Sequence, residues 1–325
     1  MVKRARNILG CAFMAIILIA VVAIILNRQW LYDFWRGKTY VASPEMAKIR
    51  TSLNLTSQGE FIFDASQPEL NTSDDFNAHC RREDDEKAIL GCYTENNIYI
   101  YNIAEAELDG IRELTTAHEL LHAVFYRMGD GEKEQLRPYL DQVYNNNTQI
   151  LSEDLNNYDE SERFEELYVR AGTEVKDLPS ELESHYERIF TSQDQIVDFY
   201  NKYIAVFKKL EAELVALEEE MAQLTETIEQ KTTEYERRAD QLNASIISFN
   251  SCADVAGCFK TEDEFNARRG TLIAEQNALE GLYNELNTLI DTYNSKVEVY
   301  NADVLRGEKL NTIINSSSRS NQPLL

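Results

Sequence analysis

Hydrophobic positions fall into three regimes along the chain. Residues 8–26 run without a charge, long enough to cross a bilayer as one helix. Between 51 and 96, short apolar pieces such as Phe61-Ile62-Phe63 sit among Ser, Thr, Asn and Asp, which predicts loops and short strands. Asn97-Ile98-Tyr99-Ile100-Tyr101-Asn102-Ile103 is β-branched and aromatic and predicts a strand. A helix follows from near Glu113, with Thr115 or Thr116 in its first turn and Leu114, Ala117, Leu121, Val124, Phe125 and Met128 on one stripe. From about Gln193 the period becomes a heptad: Phe207, Leu210, Leu214, Leu217, Met221, Leu224 and Ile228 step by three and four, continued by Tyr235, Leu242, Ile246 and Phe249. A second seam runs from Leu272 through Leu279, Tyr283, Leu286, Ile290, Tyr293, Val297 and Tyr300 to Val304, and a turn-rich stretch at 250–258 separates the two. This predicts an antiparallel helical coiled-coil hairpin over 193–314, with arms of about 75 to 80 Å at about 1.5 Å per residue. The Ser- and Asn-rich tail, 315–325, is expected to be disordered.

The flanks of the first segment give it a meaning. Lys3, Arg4 and Arg6 precede it in a basic end, 1–7, and Leu26-Asn27-Arg28-Gln29-Trp30 offers no small-x-small cleavage pattern. An uncleaved transmembrane anchor is therefore expected at 8–26. Trp30, Tyr32, Phe34, Trp35 and Tyr40 follow at headgroup level, within a juxtamembrane linker, 27–50. Arg28, Arg36 and Lys38 nearly balance the basic residues before the span, so cysteines decide the orientation. Cys80 with Cys92 and Cys252 with Cys258 form close pairs suited to local disulfides, the second stapling the hairpin tip. Disulfides belong to an oxidising compartment, which places the bulk of a single-pass chain outside the cytoplasm. Glycosylation sequons begin at Asn54, Asn71, Asn146 and Asn243 and matter only in a host that uses them. The net charge of −24, from 56 acidic against 32 basic residues, excludes nucleic acid as a natural partner. The acidic run between Glu211 and Glu229 reads as a solvated helix face.

The chemistry concentrates in Thr115-Thr116-Ala117-His118-Glu119-Leu120-Leu121-His122. On a helix, imidazoles four residues apart share a face and can hold one Zn²⁺. Glu119 beside them can act as general base towards a water activated by the ion. No third histidine follows at short interval, which points to a glutamate supplied by a later helix. Asp159-Glu160-Ser161-Glu162-Arg163-Phe164-Glu165-Glu166-Leu167-Tyr168 supplies candidates. Residues 97–175 thus resemble zinc metallopeptidases of the gluzincin type, with a third-ligand helix similar to those of lethal-factor-like and thermolysin-like enzymes. The resemblance implies an α+β zincin-like domain at 51–192. It implies Glu162 as the metal ligand and Glu166 as the acceptor from the outer N–H of His118. Glu166 as the ligand itself remains open, with Glu165 a third candidate. It also implies that the strand before the motif helix lines the cleft and pairs with extended substrate, although an interior strand fits the sequence equally well.

A donor to the developing oxyanion is sought in Tyr158, then in His185, although both have bland alternatives in packing or at the surface. His79 reads as structural. Two functions follow. In one, the chain is a membrane-anchored peptidase, an endopeptidase in preference to an exopeptidase, whose hairpin positions a protein or peptide substrate or binds a protein partner. In the other, it is a structural or adhesive envelope protein in which the coiled coil works and the metal site is vestigial or stabilising.

Overall fold

The computed structural model describes residues 27–80, 89–155 and 158–315, with isolated positions between 14 and 25. The basic end, most of the expected span at 8–26, and the tail beyond Asn315 lie outside the described residues. Among the described residues, no helix is long and apolar enough to cross a membrane. The chain divides into two compact units, 1–206 with 310–325, and 207–309.

The first unit is mostly helical with one small sheet. The segment expected as a linker is instead ordered structure: α1 (Arg28–Thr39) and α2 (Pro44–Ser52). Ser43 caps α2 by accepting from the Met46 amide, and Pro44 sits in its first turn. Met46 and Ile49 are fully buried, which makes α2 part of the core. Loops expected around Phe61 are likewise replaced by α3 (Ser57–Ser66), capped by Thr56. Its buried positions Gly59, Ile62, Phe63 and Ser66 follow helical spacing, a period too short to read from one and a half turns of apolar sequence. Next come β1 (Glu69–Asn71), α4 (Ser73–His79), β2 (Gly91–Thr94) and β3 (Asn97–Tyr101).

The sheet order is β1-β3-β2, with β1 parallel and β2 antiparallel to β3. The β2–β3 turn is made by Glu95 and Asn96, both left-handed (φ 51° and 64°), as a tight hairpin demands. The predicted strand therefore exists, but as the interior strand, with Ile98 and Ile100 fully buried. The edges belong to β1 and β2. Cys80 and Cys92 are bonded (S–S 1.95 Å), tying the end of α4 to β2. His79 stacks on Tyr99 at 4.1 Å, a structural role.

A 3-10 turn (Ala106–Leu108) leads to α5 (Ile111–Arg127), which starts two residues earlier than expected because Gly110 turns the chain at φ 96°. After it come α6 (Asp130–Asn146), α7 (Thr148–Leu155), α8 (Glu160–Glu174) and α9 (Ser180–Tyr186). Helix α5 buries Ala117, Leu120, Leu121, Val124 and Phe125 against neighbours that include Phe164, Tyr168 and Val169 of α8. The long helices are α10 (Gln193–Ala253) and α11 (Glu262–Ile314). The first turns of α10 belong to the first unit, since Ile196 and Val197 are buried there and the Gln193 amide donates to the carbonyls of Gly172 and Val175. The compact boundary thus falls near 206, not at 193.

In the second unit the helices run antiparallel, as contacts advance on one while receding on the other: Phe249 to Phe265, Arg238 to Glu275 (2.8 Å), Lys231 to Glu285 (2.9 Å), and Tyr300 to Glu218 (2.8 Å). Leu242, Leu279, Leu282 and Leu286 are buried, whereas the seam positions Tyr283 and Ile290 remain exposed. The bonded pair Cys252–Cys258 closes the tip beside the clustered rings of Phe249, Phe259 and Phe265.

Candidate metal centre

Two helices build the site. His118 and His122 project from one face of α5, with their Nε2 atoms 3.3 Å apart. Glu166 of α8 faces both: Oε1 lies 3.7 Å from Nε2 of His118 and Oε2 lies 3.5 Å from Nε2 of His122. One atom from each residue can be chosen so that all lie within 4.8 Å of one another. Two imidazole nitrogens and one carboxylate form a donor set suited to Zn²⁺ with a position left for water or substrate.

The structure brings Glu166, not Glu162, to the histidines. Glu162 is exposed, and its amide is capped by Asp159 at the start of α8. The reason is helix register. Helices α5 and α8 pack antiparallel, with Phe125 against Phe164 and Tyr168 (ring centroids 5.7 and 5.3 Å). A Cβ on Gly172 would meet Leu121 Cδ1 at 2.6 Å, so the absence of a side chain lets the helices approach. In this register the turn carrying Glu165 and Glu166 faces the histidines, and Glu162 falls beyond it. Glu165 accepts from Nδ1–H of His122 at 2.7 Å, which fixes that ring with Nε2 directed at the centre. The outer-acceptor role expected of Glu166 on His118 is thus filled by Glu165, on the other histidine.

The electrostatics favour a cation. Burial would depress His122, but hydrogen bonds to Glu165 and Glu166 outweigh it and raise its pKa to about 10. Burial, helped by the charge of His122 and opposed by Glu166, lowers His118 to about 4. Burial would raise Glu166, yet the two histidines and Arg170 hold it down at about 2.

Glu119 is buried beside this group, and desolvation raises it to about 7 while a hydrogen bond from the Tyr93 backbone acts against the shift. Gly91 of β2 lies so close that an added Cβ would stand 2.6 Å from Glu119 Cγ and 2.7 Å from Thr115 Cγ2. Edge strand β2 therefore packs on the motif helix through a glycine and holds the acid through a backbone amide. Gly91, His118, Glu119, Tyr158 and Glu166 share a cleft of about 530 Å³, with Arg170 and Tyr203 also on its walls. Tyr158 lines this cleft. His185 does not: it is buried at a separate cleft with Glu132 and Arg188. Sequence reasoning passed over Gly91, the Tyr93 amide and Arg170. Gly91 beside Cys92 and Gly172 inside a helix were the only signals of close backbone approach.

The outer acceptor and the exposed acid should separate in metal affinity. Against a chromogenic chelator, Glu165→Gln is expected to weaken zinc binding roughly 10- to 100-fold. Glu166→Gln should cost more than this, and Glu162→Gln nothing. Equal affinities for the Glu162 and Glu166 variants would overturn the ligand assignment.

His185 carries a second prediction. Arg188 can only donate, so Nδ1 accepts and Nε2–H donates to Tyr168 Oη at 2.9 Å. Burial, reinforced by Arg188, lowers its pKa to about 4. The unfolded chain therefore binds more protons below about pH 6.5, and this stability is full above that value and lost as pH falls towards 4. Urea unfolding should show roughly 2 kcal/mol lost between pH 7 and pH 5 from this group, a component missing in His185→Asn.

The chain matches no protein-family model, no curated protein and no solved structure.

Proposed function

We propose that the chain is a membrane-anchored, zinc-dependent endopeptidase with a zincin-like catalytic domain outside the cytoplasm. The observation that carries this reading is the convergence of His118, His122 and Glu166 at the wall of a cleft that His118, Glu166 and Glu119 line. A closed structural site would need a fourth protein ligand and no adjacent base. Zinc, when bound, supplies a Lewis acid that polarises a carbonyl and draws the pKa of water towards neutrality. Glu119, oriented by the Tyr93 amide, takes the proton of the attacking water and returns it to the leaving amine. The Tyr158 hydroxyl donates to the carbonyl oxygen as negative charge gathers there. An extended peptide would add to the outer edge of β2, which passes Glu119 at Gly91. Such strand addition suits internal bonds of an unfolded segment. The two disulfides agree with an oxidising compartment.

The full chain in detergent, loaded with zinc, should cleave unfolded protein and peptide libraries, lose that activity to a chelator, and regain it with zinc. Tight stoichiometric zinc without cleavage of any library would sink the peptidase reading and leave the metal centre standing. Failure to take up zinc would remove both.

A further inference from the structure

We propose that α1 is a bilayer-surface helix whose outward face rests in the headgroup layer of an anionic membrane and holds the first unit against it. The helix is amphipathic in the sense opposite to that of a water-soluble protein. Its only buried residue is Asp33, 3% exposed, which receives Gln29 at 3.1 Å and a two-pronged contact from Arg127. Arg36 also turns inward, donating to the carbonyls of Ala65 (2.7 Å) and Asn96 (3.1 Å). Outward stand Trp30 (54% exposed), Tyr32 (46%), Phe34 (37%) and Trp35 (68%). Polar groups face protein while the aromatic rings keep much of their surface outward, Trp30 also stacking on Phe61 of α3 at 6.3 Å, an arrangement that water does not favour and a membrane interface does.

Charge and continuity identify the occupant. The helix adds Arg28 and Lys38 to its outward side, Lys38 lying over the Phe34 ring at 5.7 Å, within a chain of net charge −24. Basic residues among exposed aromatics fit anionic headgroups. In the sequence, the uncharged stretch 8–26, whose composition favours lipid, ends just before α1. Rigid attachment through Asp33 and Arg36 then fixes the body to the surface without a flexible leash. None of this depends on the peptidase reading.

Trp30 and Trp35 are the chain's only tryptophans, so intrinsic fluorescence reports this face alone. The full chain is reconstituted into vesicles of phosphatidylcholine with a minority of phosphatidylglycerol, as the parent and as Trp30→Phe and Trp35→Phe. Each single tryptophan should be quenched by bromine carried near the lipid headgroup and shielded several-fold from aqueous iodide. A span that merely exits the membrane at Trp30 would leave Trp35 open to iodide, and that result overturns the proposal. Shielding from iodide without quenching by lipid bromine would also overturn it, because a protein surface would then cover the helix. A chain that stays in the aqueous phase refutes it outright.

Discussion

Glu119→Gln is expected to keep zinc and lose peptide cleavage by roughly 10²- to 10⁴-fold in kcat, the usual contribution of a positioned general base. The amide is isosteric and can still accept from the Tyr93 backbone, so the cleft keeps its shape while the proton acceptor disappears. The same substitution should stabilise the metal-free protein. Desolvation raises Glu119 to about 7, so in the folded state its ionisation costs free energy that the unfolded chain does not spend. That cost is absent below about pH 4.3 and grows as pH rises towards 7. Removing it should add about 1 to 3 kcal/mol at neutral pH, seen as a higher denaturant midpoint for the metal-free variant than for the metal-free parent. A variant that still cleaves at the parent's rate would exclude Glu119 as the base. One that binds zinc poorly would show that the acid holds the site's shape.

Asp33→Ala should be the most destabilising single change near α1. Its carboxylate meets Arg127 through two hydrogen bonds, Nη2 to Oδ1 at 2.8 Å and Nε to Oδ2 at 3.0 Å, with both side chains buried. Without the acid, the Arg127 guanidinium is left desolvated beside Tyr93, whose hydroxyl it contacts at 3.0 Å. Breaking a buried pair in this way costs about 3 to 5 kcal/mol, whereas replacing both partners with apolar groups of similar volume is often nearly neutral. Denaturation followed by the fluorescence of Trp30 and Trp35 should therefore show a large loss in Asp33→Ala and recovery in Asp33→Leu with Arg127→Met. A loss under about 1 kcal/mol would place the pair with ordinary surface ion pairs. Arg127 ends the motif helix and touches the side chain of Tyr93, whose amide holds Glu119. A fall in kcat alongside the fall in stability would report that connection.

Local chemistry was legible wherever a single element carried it. His118, Glu119 and His122 lie on one helix, and four residues of spacing determine their shared face regardless of what packs around them. The heptads of α10 and α11 and the two cysteine pairs are equally local, because helix period and short sequence separation leave few alternatives. Capped helices α2 and α3 were harder to read: each is too short for its apolar period to stand out from a loop, and only tertiary burial of Met46, Ile49 and Phe63 makes them helices of the core.

What joins two elements had to wait for the tertiary structure. Three glutamates on α8 are nearly equivalent in sequence, and the choice of Glu166 over Glu162 was made by a helix register set by Phe125, Leu121 and Gly172. The predicted strand became the sheet's interior β3 and β2 its edge beside the motif helix, because sheet order depends on contacts distant in sequence. By itself, the sequence determined which side chains could hold an ion and which helices would be long. Only packing decided which carboxylate meets the imidazoles and which strand borders them, since one helical turn of displacement moves a carboxylate by about 5.4 Å, farther than any ligand bond can stretch.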